Sequence, residues 1–121
     1  RQPLKFTRYH ATIKPGFWVH IYTHSSWGVV RKIEKGEEIR GIEYSAYEKL
    51  AYSITQNLSV EAMEKYGDHN AKIIHRLGFV AVSEPSLVLR ISSPHSKSAY
   101  QLSEWYLNKI KNTLPIWKKF V

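Results

Sequence analysis

The chain has 121 residues, 43% of them hydrophobic and 13% aromatic, with a formal charge of +8 and no cysteine. That length fits one domain able to bury roughly two thirds of its unfolded surface, and the composition excludes a disordered polypeptide. The missing cysteine excludes a disulfide framework, a Cys-ligated zinc site, a thiol nucleophile and a persulfide carried on the protein itself.

No apolar run approaches the ~20 residues that cross a bilayer, so no membrane partner is expected. The N-terminal RQPLKFTRYH has basic residues but no hydrophobic core of signal-peptide type behind them, and the first residue is Arg1 rather than Met, as in a processed, trimmed or excised chain. Lack of cysteine fits a reducing compartment, and a cytoplasmic location is the expectation. The charge predicts attraction to an anionic partner. Nucleic acid, a phosphorylated small molecule and an acidic protein all satisfy it, and charge alone does not choose among them.

Residues 1–16 form a weakly defined N-terminal segment of a single domain spanning 1–121, and Pro15-Gly16 is a turn signal. Phe17 to Thr23 (FWVHIYT), rich in aromatic and β-branched residues, reads as a strand, and Trp27 to Ile33 (WGVVRKI) as a second. The loop Glu34-Lys35-Gly36-Glu37 has hairpin length, and Ile39 to Tyr44 returns as a third strand, which a simple hairpin would pair antiparallel with the second. From Tyr47 to Tyr66 the period changes. Leu50, Ala51, Ile54, Leu58, Ala62 and Tyr66 share one helical face, and Gly67 suits the left-handed stop.

Ala71 to Leu77 and Leu87 to Ile91 read as further strands. A second helix follows, with Ser93 as its N-cap, Pro94 at its first helical position, and Ala99, Leu102, Tyr106, Ile110 and Leu114 along its apolar face. Pro115 disfavours helical geometry at Leu114, so the chain turns there. Strands, helix, strands, helix is the order of an α+β domain with two helices packed on a largely antiparallel sheet.

His20 and His24 lie four apart in a predicted strand and its exit, where that spacing does not put them on one face, and no Cys or carboxylate completes a set; no metal site is expected. GxxxxGK[ST] and GxGxxG are both absent. Arg31, Arg76, Lys97, Lys109, Lys111, Lys118 and Lys119, with Trp105 and Trp117 for stacking, would make an RNA-binding surface, but a solvated helix face and strand ends explain most of them better, and no glycine-rich strand with adjacent exposed aromatics is present. Nucleic acid therefore ranks low. His95, with Lys97 nearby, stands at a helix start, where free N–H groups and the helix dipole favour an anion.

Five segments in order carry a resemblance: GVVR (Gly28 to Arg31), GIEYSAY (Gly41 to Tyr47), IIHRLG (Ile73 to Gly78), SPH (Ser93 to His95) and PIWKK (Pro115 to Lys119). Their order and spacing across residues 27 to 119 resemble the large, catalytic subunit of molybdopterin synthase, the MoaE family. The resemblance implies an α/β hammerhead-type α+β fold and a sulfurtransferase without a cofactor of its own. Its partner would be a ubiquitin-like, MoaD-like small subunit whose C-terminal thiocarboxylate delivers sulfur to cyclic pyranopterin monophosphate, a phosphorylated pterin, forming the molybdopterin dithiolene. It further implies a large-subunit homodimer, and a heterotetramer with two small subunits.

By the same resemblance Lys111 and Lys118 match the family's essential lysines, Arg31 its strand-end arginine, and His95 the histidine of a motif that reaches the active site across the dimer interface. Lys111 would act as base or covalent amine at the pterin side chain, Lys118 would position the thiocarboxylate or stabilise developing charge, and Arg31 and His95 would hold the phosphate. The residue chemistry is compatible, because an anionic substrate and an anionic tail need a cationic pocket. The chain departs from the pattern at Ser25-Ser26-Trp27-Gly28, where the family has a small-apolar strand ending Phe-x-Gly, at Ser83 for a glycine, at Ser96 for the arginine after the motif histidine (which Lys97 would replace), and at Phe120 for an acidic residue. Two rival readings remain: a non-catalytic MoaE-like binding module, and a small basic RNA-binding domain.

Overall fold

The computed structural model describes residues 4–10, 18 and 20–121, with residues 4–10 described through their backbone alone. Among the described residues, nine strands and two helices run in the order β1 (Leu4–His10), β2 (Tyr22–Val29), β3 (Ile33–Glu34), β4 (Glu37–Glu38), β5 (Gly41–Ala46), α1 (Glu48–Tyr66), β6 (His69–His75), β7 (Gly78–Ala81), β8 (Pro85–Ser93), α2 (Ser96–Thr113) and β9 (Ile116–Phe120). One sheet has the order β1-β6-β8-β2 and a second the order β7-β5-β9, while β3 and β4 make a separate ribbon. All pairings are antiparallel. Helix α2 packs on β8 and β2, α1 on β1, and the helices touch each other. This is the expected α+β architecture. No helix among the described residues is long and apolar enough to cross a membrane.

The core forms where strand and helix periods agree. Leu87, Leu89 and Ile91 alternate inward on β8, Ala71 and Ile73 on β6, and they meet Ala99, Leu102, Tyr106 and Ile110 from α2. The predicted apolar face of α2 is buried along its whole length, through Leu114 at the C-cap. On α1 the buried stripe is rotated from the predicted one: Leu50 is 45% exposed, whereas Thr55 and Ser59 are buried. Their hydroxyls donate to the carbonyls of Ala51 and Thr55, four residues back, which removes the cost of burying them.

Four expectations need correction. The segments at Phe17–Thr23 and Trp27–Ile33 are not two strands: β2 runs unbroken through Ser25-Ser26, because every residue from Tyr22 to Gly28 has a partner in β8 and the small Ser26 side chain fits beneath α2, 3.1 Å from the Ser103 hydroxyl. Phe17 itself lies outside the described residues. The Lys35-Gly36 turn exists, with φ of 52° and 79° as a two-residue hairpin turn requires, but its ribbon is only two pairs long. Strand β5 instead pairs with β7 and β9.

Ser93 is the last residue of β8 rather than an N-cap; it is fully buried, and its hydroxyl accepts the His95 N–H at 3.3 Å. The cap position of α2 belongs to His95, whose backbone is extended and whose side chain makes no capping bond, so Pro94 precedes the helix and is not its first residue. Finally, Pro115 ends α2 as predicted, but the residues after it form strand β9, not an open turn. Ser83, with φ of 72°, occupies a left-handed position in the turn between β7 and β8, which accounts for the family's glycine there.

His69 ties three elements together. It is fully buried: Nδ1 donates to the Gly67 carbonyl behind α1, and Nε2 accepts the Tyr106 hydroxyl of α2 at 2.8 Å. Burial holds this imidazole below its ordinary pKa, against the opposing pulls of the Gly67 carbonyl and Asp68. The native state therefore keeps His69 neutral at a pH where the unfolded chain already binds a proton. Stability is complete above about pH 6.5 and is lost as pH falls below it toward the depressed native value. Urea midpoints should accordingly drop between about pH 7.5 and 5 with an unchanged m-value. A flat midpoint across that range would contradict the neutral, hydrogen-bonded state of His69.

Candidate active site

Where the second sheet meets β8 and the C-terminal end of α2, the chain encloses a cavity of about 440 Å³. Ile42, Leu87, Ile110 and Leu114 form the apolar part of its wall, and Lys111, Lys118 and Arg31 bring positive charge to it. The volume lies within the range of small-molecule sites.

Each cation is placed by a different local rule. Lys111 stands in the last turn of α2, where the unpaired carbonyls of the helix end favour a positive charge. Lys118 is held by register: in the β5–β9 ladder it lies directly opposite Tyr44, a buried residue that also lines the cavity. Residues directly opposite each other share a sheet face, so Lys118 is presented on the cavity side while its neighbours Trp117 and Lys119 alternate away. Arg31 follows Val30, which is buried and bonded through both its N–H and its carbonyl to the β7–β8 turn, at Glu84 and Ser83. Arg31 Nε and Nη2 both donate to Glu34 Oε1, at 3.3 and 3.1 Å. Its guanidinium is largely exposed, whereas the Glu34 side chain is only 18% exposed, so the carboxylate anchors one edge of the arginine and leaves the rest facing outward.

Four polar lining residues escaped the sequence reading: Glu34, Tyr44, His75 and Ser86. His75 is 7% exposed, meets Tyr44 edge-on with ring centroids 4.9 Å apart, and directs Nδ1 at the Arg76 carbonyl, 2.8 Å away. Burial lowers its pKa and the charge of Lys118 acts in the same direction, while the bond to Arg76 opposes both. The signal for it was present in the strand period, since His69, Ala71, Ile73 and His75 all fall on the buried face of β6.

His95 and Lys97 are elsewhere. They begin α2, and Lys97 and Lys111 are separated by 14 residues of helix, about 21 Å. Neither lines the cavity, so a single chain does not bring them to Arg31 and the two lysines. Of the histidines considered as ligands, His20 is exposed, and His24 contacts the Ser103 hydroxyl at 3.0 Å and packs at a tilt against the Tyr100 ring. The proposed RNA surface loses one stacking residue, because Trp105 is in the core.

Residues 22–113 match the family profile described as "MoaE protein". The matched span includes Arg31, His95, Lys97 and Lys111, and stops short of Lys118. The chain is 38% identical over 92 residues to the molybdopterin synthase catalytic subunit of Bacillus subtilis (strain 168), covering 76% of this chain and 59% of that protein. It thus spans less than two thirds of that relative's length. Among solved structures it is similar to molybdopterin synthase from Staphylococcus aureus, with a TM-score of 0.79, 29% identity, and coverage of 93% of this chain and 90% of that one. It is also similar to a chain in the complex of subunits 1 and 2 of molybdopterin-converting factor from Helicobacter pylori 26695, with a TM-score of 0.71, 25% identity, and coverage of 82% and 64%.

Proposed function

Because the chain belongs to the MoaE family, we propose that it is the catalytic subunit of a molybdopterin synthase. It takes sulfur from the C-terminal thiocarboxylate of a ubiquitin-like small subunit and transfers it to cyclic pyranopterin monophosphate, building the dithiolene in two successive deliveries. The observation that carries the reading is the convergence on one cavity of Lys111 from α2, Lys118 from β9 and Arg31 from the loop between β2 and β3. Such a pocket suits a heterocycle with an anionic group and an anionic peptide tail arriving beside it.

In this mechanism Arg31 binds the substrate phosphate, held in place by Glu34. Lys118, fixed by its register with Tyr44, positions the thiocarboxylate, and Lys111 acts as base or covalent amine at the pterin side chain. His95 and Lys97 join the site from a second copy of the chain, since within one chain the length of α2 separates them from it. That places a homodimer at the centre of a heterotetramer with two small subunits. The Helicobacter pylori structure, a complex of two different subunits, supports a heteromeric assembly. A cytoplasmic setting belongs to the same reading.

Ser96, at the start of α2 in place of the family arginine, favours a second reading in which the chain binds its partner without turnover. Incubation with thiocarboxylated small subunit and cyclic pyranopterin monophosphate separates the two. Dithiolene formed in a single turnover is the expected result; capture of the small subunit without product would establish the binding module instead. Steep salt-dependent affinity for RNA with neither of these would return the basic surface to the RNA reading.

A further inference from the structure

Lys111, Lys118 and Arg31 can only donate hydrogen bonds. A pterin ring carries N–H groups as well as acceptors, so a pocket that orients it needs at least one lone pair directed inward. Glu34 Oε1 is engaged by Arg31 and the Ser86 hydroxyl donates to the Gly28 carbonyl at 3.3 Å, while Glu34 Oε2 and the Ser86 and Tyr44 hydroxyl oxygens keep lone pairs of their own. His75 adds a ring acceptor held in one orientation. The Arg76 carbonyl beside its Nδ1 only accepts, so Nδ1 carries the proton and Nε2 carries the lone pair. The ring is fixed by that bond on one side and by the edge-on Tyr44 contact on the other, and it lines the cavity from β6.

Resting on the sulfur-transfer reading, we propose that His75 Nε2 is a substrate-binding acceptor that takes a hydrogen bond from a ring N–H of the pterin and so sets the orientation of the heterocycle against the cationic side of the cavity. The surroundings keep it in the accepting form. Tyr44 faces it from β5 and Leu87 from β8, while Lys118 on β9, Lys111 on α2 and the Arg31–Glu34 pair share the cavity with it. Three of those groups are cations, so protonating His75 adds a fourth positive charge and removes the lone pair together.

The test is equilibrium binding of cyclic pyranopterin monophosphate to the wild-type, His75→Gln and His75→Phe chains between about pH 5.5 and 8, with the 15N shift of His75 Nε2 as a second readout. At the upper pH, His75→Phe should bind about threefold to tenfold more weakly, the loss of one hydrogen bond, while His75→Gln, which keeps an acceptor, should stay within about threefold of wild type. Wild-type affinity should fall as His75 protonates, and the His75→Gln curve should lack that acid limb. A purely structural role for His75 would not give the glutamine variant a different pH profile, and if the phenylalanine variant fails to fold, the glutamine profile decides alone.

Superimposable wild-type and His75→Gln profiles, or an Nε2 shift unmoved by saturating pterin, would overturn the proposal. A wild-type chain with no affinity for the pterin overturns it together with the sulfur-transfer reading. Binding with the predicted pH profile but no dithiolene in the presence of the small subunit overturns the reading of turnover and leaves the assignment of His75 standing.

Discussion

Replacing Lys111 by alanine should reduce single-turnover dithiolene formation by at least about 100-fold, the lower end of what a positioned acid or base contributes. The fold should be unaffected. Lys111 is exposed on the last turn of α2, where the apolar work is done by Ile110 and Leu114 on either side of it. A surface change of this kind normally moves stability by no more than about 0.5 kcal/mol, so lost activity with an unshifted urea midpoint isolates the chemistry.

Lys118→Ala should be comparably damaging for a different reason. If Lys118 positions the incoming thiocarboxylate, its removal should weaken the effect of small-subunit concentration as well as the maximum rate, whereas Lys111→Ala should leave small-subunit binding intact. Lys111→Arg is informative too. Arginine keeps the charge but stays protonated, so it should restore pterin affinity without restoring turnover if the amine is the working group. A Lys111→Ala protein that forms dithiolene at the wild-type rate would remove Lys111 from the mechanism, and full recovery by arginine would reduce its role to charge.

The parts of this site differ in how visible they were beforehand. Helix α2 announces itself through Ala99, Leu102, Tyr106 and Ile110, because burial on one side of a helix leaves a period that survives in any sequence. Strand β9 leaves no such trace. Ile116–Phe120 reads IWKKF, with little burial on either face, and it is a strand because β5 offers it a ladder of hydrogen bonds, a tertiary fact no local pattern encodes. The unbroken course of β2 is similar: two consecutive serines look like a loop until Ser26 is placed beneath Ser103.

Singling out Lys111 and Lys118 from eighteen basic residues needed the family resemblance, since composition treats them all alike. His75 was accessible from the alternation of β6, but a buried histidine on a sheet is usually a core residue, as His69 is. Only the cavity distinguishes the two: His69 spends both nitrogens on Gly67 and Tyr106, and His75 spends one on Arg76 and lines open space.

Gly41→Ala should destabilise the chain by about 3 kcal/mol, near the upper end for overpacking a well-fitted site. Gly41 opens β5 opposite Ala81, and a methyl group there would lie 2.5 Å from the Val80 carbonyl oxygen and 2.5 Å from the Phe79 ring. The Phe79 side chain is half exposed and can swing aside. The Val80 carbonyl cannot, because it belongs to the backbone of β7 next to a fully buried side chain. Relief therefore requires β7 to separate from β5.

Gly36→Ala is the control. Gly36 has a left-handed φ of 79° and nothing within 4 Å of its missing methyl, so its cost is conformational, about 1 kcal/mol. For a domain of this size the difference between the two variants corresponds to a gap in melting temperature of about 10 °C. Equal effects would mean that the close approach at Gly41 is not what constrains it. The same strand connects this packing to the chemistry, because β5 holds β7 on one edge and β9 on the other, and its Tyr44 sets the position of Lys118. Below its melting transition, the Gly41→Ala chain should still lose sulfur transfer out of proportion to its folded fraction, since a displaced β5 moves Lys118 while leaving Lys111 on its helix.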